Sequence, residues 1–273
     1  MVRGLEPSIV GAGDAIRRHL FLLAPNNSGS TLVMGALARS RCALWLVREG
    51  QHIAGFHGPS SRGLGTRRLW AADEDRIAAL RDPSAYRWDR NRNAWHFQAQ
   101  TRSQGASVLM VASPPFLLVA DQLARAFPDA AFLLMVRNPY AVAAGIIRRG
   151  VHAGPPPDGM DLPTAAAQHI VNALRFQRAN LGLLGDRAVG FTYEQMCADP
   201  AAVGARIARL VPPLADLDLG QPLPVKGDYD EPPTDMNARQ IAGLSADERR
   251  RIDAIFDGHR PLLAAFGYDR IDT

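Results

Sequence analysis

The run His19-Leu20-Phe21-Leu22-Leu23-Ala24, followed at once by Pro25-Asn26-Asn27-Ser28-Gly29-Ser30-Thr31 and then by Leu32, Met34, Leu37 and Ala38, decides the architecture. An apolar run without alternation reads as a strand buried on both faces. Proline, asparagine, serine and glycine cannot continue it and mark a tight turn. From Thr31 to Arg39 the apolar spacing takes the period of a helix. Such a strand, turn and helix aims consecutive backbone N–H groups at one point, and the helix N-terminus adds partial positive charge there. The turn is therefore a candidate phosphate cradle, with hydroxyl donors from Ser28, Ser30 and Thr31 and close backbone approach at Gly29. The same residues suit an ordinary connection in which serine and threonine cap the helix, and both readings stand at this point.

Working outward, the alternation repeats: Ser107 to Ala112 then Phe116 to Phe127, Ala130 to Val136 then Tyr140 to Arg149, and Ala188 to Tyr193 then Ala201 to Leu210. Short apolar strands separated by helices of ten or more residues predict an α/β fold, a doubly wound parallel sheet flanked by helices on both faces. Between Gly50 and Gln104 the alternation stops, and arginines mix with aromatics at Arg62, Arg67, Arg68, Trp70, Tyr86, Arg87, Trp88, Arg90, Arg92 and Trp95. This reads as a lid-like insertion over the sheet. Gly150 to Pro163, with Pro155-Pro156-Pro157, reads as a loop before a long helix from Thr164 to about Leu184. Gln221 to Asp235, with Pro232-Pro233, is a second irregular stretch. Ser245 and Glu248 form a capping-box pair for a last helix towards Phe266. The expectation for residues 1–273 is one domain carrying one insertion.

Composition excludes several classes. No apolar run approaches the roughly 20 residues of a membrane span, and no leader-like segment opens the chain, so a cytoplasmic protein is expected. Cys42 and Cys197 are too few for a disulfide framework and too isolated for zinc, and no metal site is expected. The net charge is only +4, yet of 31 basic residues all but Lys226 are arginine. Any step usually assigned to lysine falls to Lys226 or to an arginine.

Further motifs follow the turn in order: Ser113-Pro114-Pro115 after a strand, Phe127-Pro128-Asp129-Ala130, Met135-Val136-Arg137-Asn138-Pro139-Tyr140-Ala141-Val142-Ala143, Thr192-Tyr193-Glu194 with Ala198-Asp199-Pro200, and Leu244-Ser245 with Phe266-Gly267-Tyr268. Together with Pro25 to Thr31 they resemble the sulfotransferase family, whose members use 3′-phosphoadenosine 5′-phosphosulfate (PAPS). The likeness runs from about residue 19 to 270 and leaves the insertion largely unmatched. It implies a phosphate-loop-type fold, nucleotide contacts from Asn26, Asn27, Ser28, Gly29, Ser30, Thr31, Arg137, Gly145 and Tyr193, and transfer of a sulfuryl group to a small-molecule or peptide acceptor. Three positions depart from the pattern. Asn27 stands where the family has Lys or Arg, Ala112 where relatives often have lysine, and Gly145 where many have a serine on the 3′-phosphate. Substitute cations are Lys226 and Arg239 on late loops, or Arg148 and Arg149.

The acceptor hydroxyl must lose its proton as it attacks, and Glu49, His52 and His57 follow the second strand, Ala43 to Val47. Glu49-Gly50-Gln51-His52 resembles the arrangement in relatives with a glutamate there, which puts Glu49 first and His52 second as catalytic base. The insertion's arginines and aromatics suit a packed lid, an acceptor pocket or, least, a nucleic-acid groove. A kinase-type loop needs Gly-Lys-Ser/Thr, and no Gly-Lys occurs in the chain. A degenerate fold that binds nucleotide or a partner without transfer is the remaining alternative.

Overall fold

The computed structural model describes residues 15–225 and 229–268. In chain order the elements are β1 (Arg18–Leu23), α1 (Ser30–Leu37), β2 (Ala43–Trp45), α2 (Glu74–Arg81), α3 (Trp88–Gln98), β3 (Gln100–Thr101), β4 (Val108–Ala112), α4 (Ala120–Ala126), β5 (Ala131–Val136), α5 (Pro139–Ile147), α6 (Leu162–Leu184), β6 (Ala188–Thr192), α7 (Tyr193–Ala198), α8 (Pro200–Leu210), β7 (Leu223–Val225), β8 (Tyr229–Glu231), α9 (Asn237–Ile241), α10 (Ala246–Phe256) and α11 (Arg260–Ala264). Six strands form one sheet in the order β3-β2-β4-β1-β5-β6. β1 lies between β4 and β5, parallel to both, with Leu22 opposite Ala112 and Leu133.

Side-chain alternation along β1 builds two cores. Leu20 and Leu22 face α1 and α8 through Val33, Leu37, Val203 and Ile207, while Phe21 and Leu23 join Trp95, Phe116, Phe132 and Leu134 on the opposite face. Every residue of β5 is buried, as expected of a central parallel strand, whereas β6 at the edge alternates buried with half-buried positions. The doubly wound sandwich is present.

The wholly parallel sheet expected from the alternation acquires one antiparallel edge, where β3 pairs with β2 through Leu44 and Thr101. Two polar residues carry no apolar pattern from which a strand could be read. A second small sheet pairs β7 with β8 in antiparallel fashion, so the stretch read as irregular contains a hairpin. Lys226 lies outside the described residues. Gly150–Ala153 forms a single 3-10 turn in the expected loop, and α6 starts at Leu162 because Pro163 fits the first turn of a helix. The last helix is broken: α10 begins with the Ser245–Glu248 capping box and ends at Phe256, and α11 restarts with Pro261 in its first turn.

The insertion belongs to the core instead of covering it loosely. Trp70 and Trp95 are fully buried. Trp95 donates to the Gly50 carbonyl at 2.9 Å and packs with Phe21, Phe116 and Phe127. α6 then secures the strand ends beside the turn. Gln177 Nε2 donates to the carbonyls of Leu23 (2.6 Å) and Met135 (3.1 Å), at the C-terminal ends of β1 and β5. Asn172 Nδ2 donates to the Ala71 carbonyl, and the Ala71 N–H donates to His169 Nδ1 at 3.1 Å. Buried amides on a helix would be costly without these partners.

Candidate active site

Residues 25–31 turn at the C-terminal end of β1 in a conformation that their composition requires. Asn27 has φ 63° and Gly29 φ 88°, both left-handed, and asparagine and glycine tolerate that region best. Gly29 is also fixed by space, since a Cβ there would stand 2.7 Å from Cδ2 of Tyr193. Were this an ordinary capped connection, a serine or threonine would accept from the first turn of α1. Gly29 is the N-cap residue, and no side chain caps the helix. Ser28 is completely buried, and its hydroxyl, with Asn27 Nδ2, finds no hydrogen-bond partner among the described residues. Buried polar groups are rarely left in this state unless a ligand or water meets them.

Arg137, at the end of β5, converges on the same turn. Its Nη1 donates to the Asn27 carbonyl at 3.1 Å, its Nε to Asn237 Oδ1 at 2.7 Å, and its guanidinium lies 4.0 Å from the centre of the Tyr193 ring. Burial holds its pKa below the usual arginine value, while Tyr193, Glu194 and Asp235 act in the opposite direction. Nη2 alone lacks a partner among the described residues. Arg137 thus braces the turn through Nη1 and Nε and keeps Nη2 as one donor without a partner among the described residues. Tyr193 covers Gly29, its hydroxyl donates to the Thr234 carbonyl at 2.5 Å, and burial pushes its pKa up to about 12. It stays protonated at neutral pH.

Gly145, on α5, faces Asn27. A Cβ built at Gly145 would stand 3.0 Å from Asn27 Cγ, 3.1 Å from Cβ and 3.2 Å from Nδ2. Two of the three departures from the family pattern are therefore one feature, in which the asparagine side chain fills the space that a larger residue at 145 would need. Ala112, the third, ends β4 and is half-buried.

Beside the turn opens a cleft of about 1070 Å³. Asn26, Glu49 and His52 line it, with Arg62, Arg67 and Arg68 from the insertion, Pro114 and Pro115 after β4, and His152. Glu49 Oε2 accepts from Gln51 Nε2 at 2.8 Å and lies 3.7 Å from His52 Nδ1. The Gln51 N–H donates to Ser113 Oγ, which ties this segment to the end of β4. Both candidate bases thus reach one cavity with the turn. His57 does not: it is exposed, and its backbone is held by Asn91 away from the cleft. Arg239 is exposed on α9 and does not line the cleft. Ser30 is half-buried and Thr31 exposed at the first residues of α1.

Two contacts were not foreseen. Trp70 Nε1 donates to Asn26 Oδ1 at 2.7 Å, and Arg68 Nη1 lies 3.5 Å from Asn27 Oδ1, so residues 68 and 70 of the insertion grip the two asparagines of the turn. Both were visible in the arginine and aromatic cluster, but no spacing within it separates them from their neighbours. Among the described residues, no group of three or more metal-ligating side chains occurs.

The geometry agrees with comparisons to known proteins. A model described as the sulfotransferase family matches residues 20–211, which include the turn, Arg137 and Tyr193. Among solved structures, a sulfotransferase from Alicyclobacillus acidocaldarius is similar at 16% identity, with 93% of this chain and 97% of that one covered and a TM-score of 0.53. A sulfotransferase from Mycobacterium avium is similar at 14% identity, covering 93% and 78% with a TM-score of 0.52. The sulfotransferase domain of the curacin biosynthetic pathway is similar at 16% identity, covering 92% and 98% with a TM-score of 0.51. No curated protein sequence matches. At such identities the structures establish the shared fold, while the family model spans more than half of the chain and takes in the turn that carries the unpartnered donors. On that match the chain belongs to the sulfotransferase family.

Proposed function

We propose that this protein transfers a sulfuryl group from PAPS to a hydroxyl or amine of a small-molecule or peptide acceptor held in the cleft. One observation carries the reading: three buried donors, Asn27 Nδ2, Ser28 Oγ and Arg137 Nη2, lack partners among the described residues at a turn that adjoins a cavity lined by Glu49 and His52. These donors fit an anionic phosphosulfate, with the uncapped N-terminus of α1 adding partial positive charge. The donor supplies an activated sulfuryl group, with adenosine 3′,5′-bisphosphate (PAP) as leaving group. Residues 26–31 would hold its 5′ side, and Arg137 with Tyr193 the rest of the nucleotide. Glu49 takes the acceptor proton, and His52 beside it is positioned to relay or replace that function. Arg62, Arg67 and Arg68 give the cleft a cationic wall, which favours an acceptor bearing a carboxylate, phosphate or electron-rich ring.

A second reading has one observation in its favour, the absence of a charged side chain at position 27. A fold of this kind could bind nucleotide without transfer. Incubation with PAPS and a panel of hydroxylated and amine acceptors, following PAP release, decides between them. Acceptor-dependent PAP release supports transfer, and tight PAP binding without release for any acceptor supports the binding-only reading.

A further inference from the structure

Resting on the donor reading above, we infer that Arg68, from the insertion, supplies the positive charge that the turn lacks at Asn27. When the bond between sulfur and the bridging phosphate oxygen breaks, the electron pair stays on that oxygen. A new bond forms between sulfur and the acceptor atom, the acceptor proton passes to Glu49, and PAP departs with added negative charge on its 5′-phosphate. A cation at that oxygen lowers the barrier, and in this chain position 27 cannot provide it.

Arg68 stands over the turn beside Asn27. Its backbone is pinned by the N–H donating to the Ala153 carbonyl at 2.8 Å, and it is followed by Leu69 and Trp70, both fully buried. Trp70 fastens the same segment to Asn26. The guanidinium reaches Asn27 Oδ1 at 3.5 Å, the outer limit of a hydrogen bond, so it lies over the turn while remaining free to engage a stronger acceptor. Asn27 is fixed from behind by Gly145, and its Nδ2 has no partner among the described residues. Asn27 and Arg68 together thus present one neutral and several cationic donors to the place where the family's single basic residue would point.

The electrostatic setting also calls for an anion. Arg68 makes no salt bridge within 4.0 Å among the described residues and lines the cleft with Asn26 and Glu49. Burial and the neighbouring Arg149 charge hold its pKa below the usual arginine value, with Glu49 acting in the opposite direction. A guanidinium nonetheless stays protonated. Arg68, half-withdrawn from water and opposed by the Arg149 charge, is stabilised when an anion sits between it and the turn. Of the other cations, Arg137 already braces Asn27 and Asn237, and Arg239 is exposed on α9.

Calorimetric titration tests the inference with PAP and with adenosine 3′-phosphate, which lacks the 5′ group. Wild type, Arg68→Ala and Arg68→Lys are compared, with thermal midpoints confirming that each is folded. Arg68→Ala is expected to weaken PAP about 10- to 100-fold and leave adenosine 3′-phosphate unchanged, with Arg68→Lys recovering part of the loss. Adding Asn27→Lys to Arg68→Ala is expected to restore PAP affinity in part. PAP affinity unchanged in Arg68→Ala, or equal losses for both ligands, overturns the role while leaving the donor reading intact. Failure of the wild-type protein to bind PAP removes the donor reading and the inference with it.

Discussion

Replacing Gly145 with alanine tests whether the asparagine in the turn and the glycine on α5 form one unit. In isolation, alanine for glycine inside a helix gains about 0.5–1 kcal/mol. Here the new Cβ would meet Asn27 Cγ at 3.0 Å and Nδ2 at 3.2 Å, closer than ordinary contact, in a helix whose other residues up to Ile146 are buried. Overpacking of this kind costs about 1–3 kcal/mol, and it outweighs the gain in helix propensity. Gly145→Ala should therefore destabilise the protein by about 0.5–2 kcal/mol. In an Asn27→Gly background the obstruction is gone, and φ 63° suits glycine, so the same change should stabilise by about 0.5–1 kcal/mol. Urea unfolding of the four proteins closes the double-mutant cycle, with an expected coupling of about 1–3 kcal/mol. Additive effects within about 0.5 kcal/mol would refute the pairing.

Other consequences can be measured separately. Glu49→Gln should lower turnover by about two orders of magnitude with PAP affinity retained, as initial rates and calorimetry would show; unchanged rates would shift the base to His52. Trp70→Phe removes the hydrogen bond to Asn26 but keeps most of the buried ring, so stability should fall by about 1 kcal/mol, with a parallel loss of PAP affinity; intact affinity would mean that this bond does not shape the turn. Burial holds His169 at a pKa of about 3, below the ordinary 6.5, so the unfolded chain takes up a proton that the native protein refuses. The stability it contributes is complete above about pH 6.5 and declines as pH falls towards 3, by about 1.4 kcal/mol per pH unit. Denaturation between pH 7 and 4 should show a shallower acid decline for His169→Gln than for wild type, and equal slopes would contradict this.

The sheet was legible because its signals are local. Five apolar residues ahead of Pro25, and the buried run of β5 ahead of Asn138, whose side chain accepts from the Tyr140 and Ala141 N–H groups, each declare a strand and a helix start within a few positions. The capping box at Ser245 is equally local. β3 escaped notice because two polar residues have no period, and the break before α11 because Gly258 and Pro261 act within an otherwise helical pattern. The turn itself, with its glycine between a strand and a helix, was legible. Its neighbours were not, because Asn27 meets Gly145 and Arg68 only after the chain has folded, and nothing adjacent to any of the three foretells the contact. Taken as three separate departures, Asn27, Ala112 and Gly145 looked like losses of phosphate contacts. In the folded protein Asn27 and Gly145 compensate each other in shape, and the insertion brings an arginine to the gap.

The most direct test of the central claim, that the turn at residues 25–31 holds a phosphosulfate donor, is a calorimetric comparison of PAP, adenosine 5′-phosphate and ATP on the wild-type protein and on Arg137→Ala. With one donor of Arg137, beside Tyr193, left without a partner among the described residues, the wild type should bind PAP at least about tenfold more tightly than adenosine 5′-phosphate or ATP. Arg137→Ala should reduce or abolish that preference. Tighter binding of ATP than of PAP, or no binding of any of the three, would contradict the account.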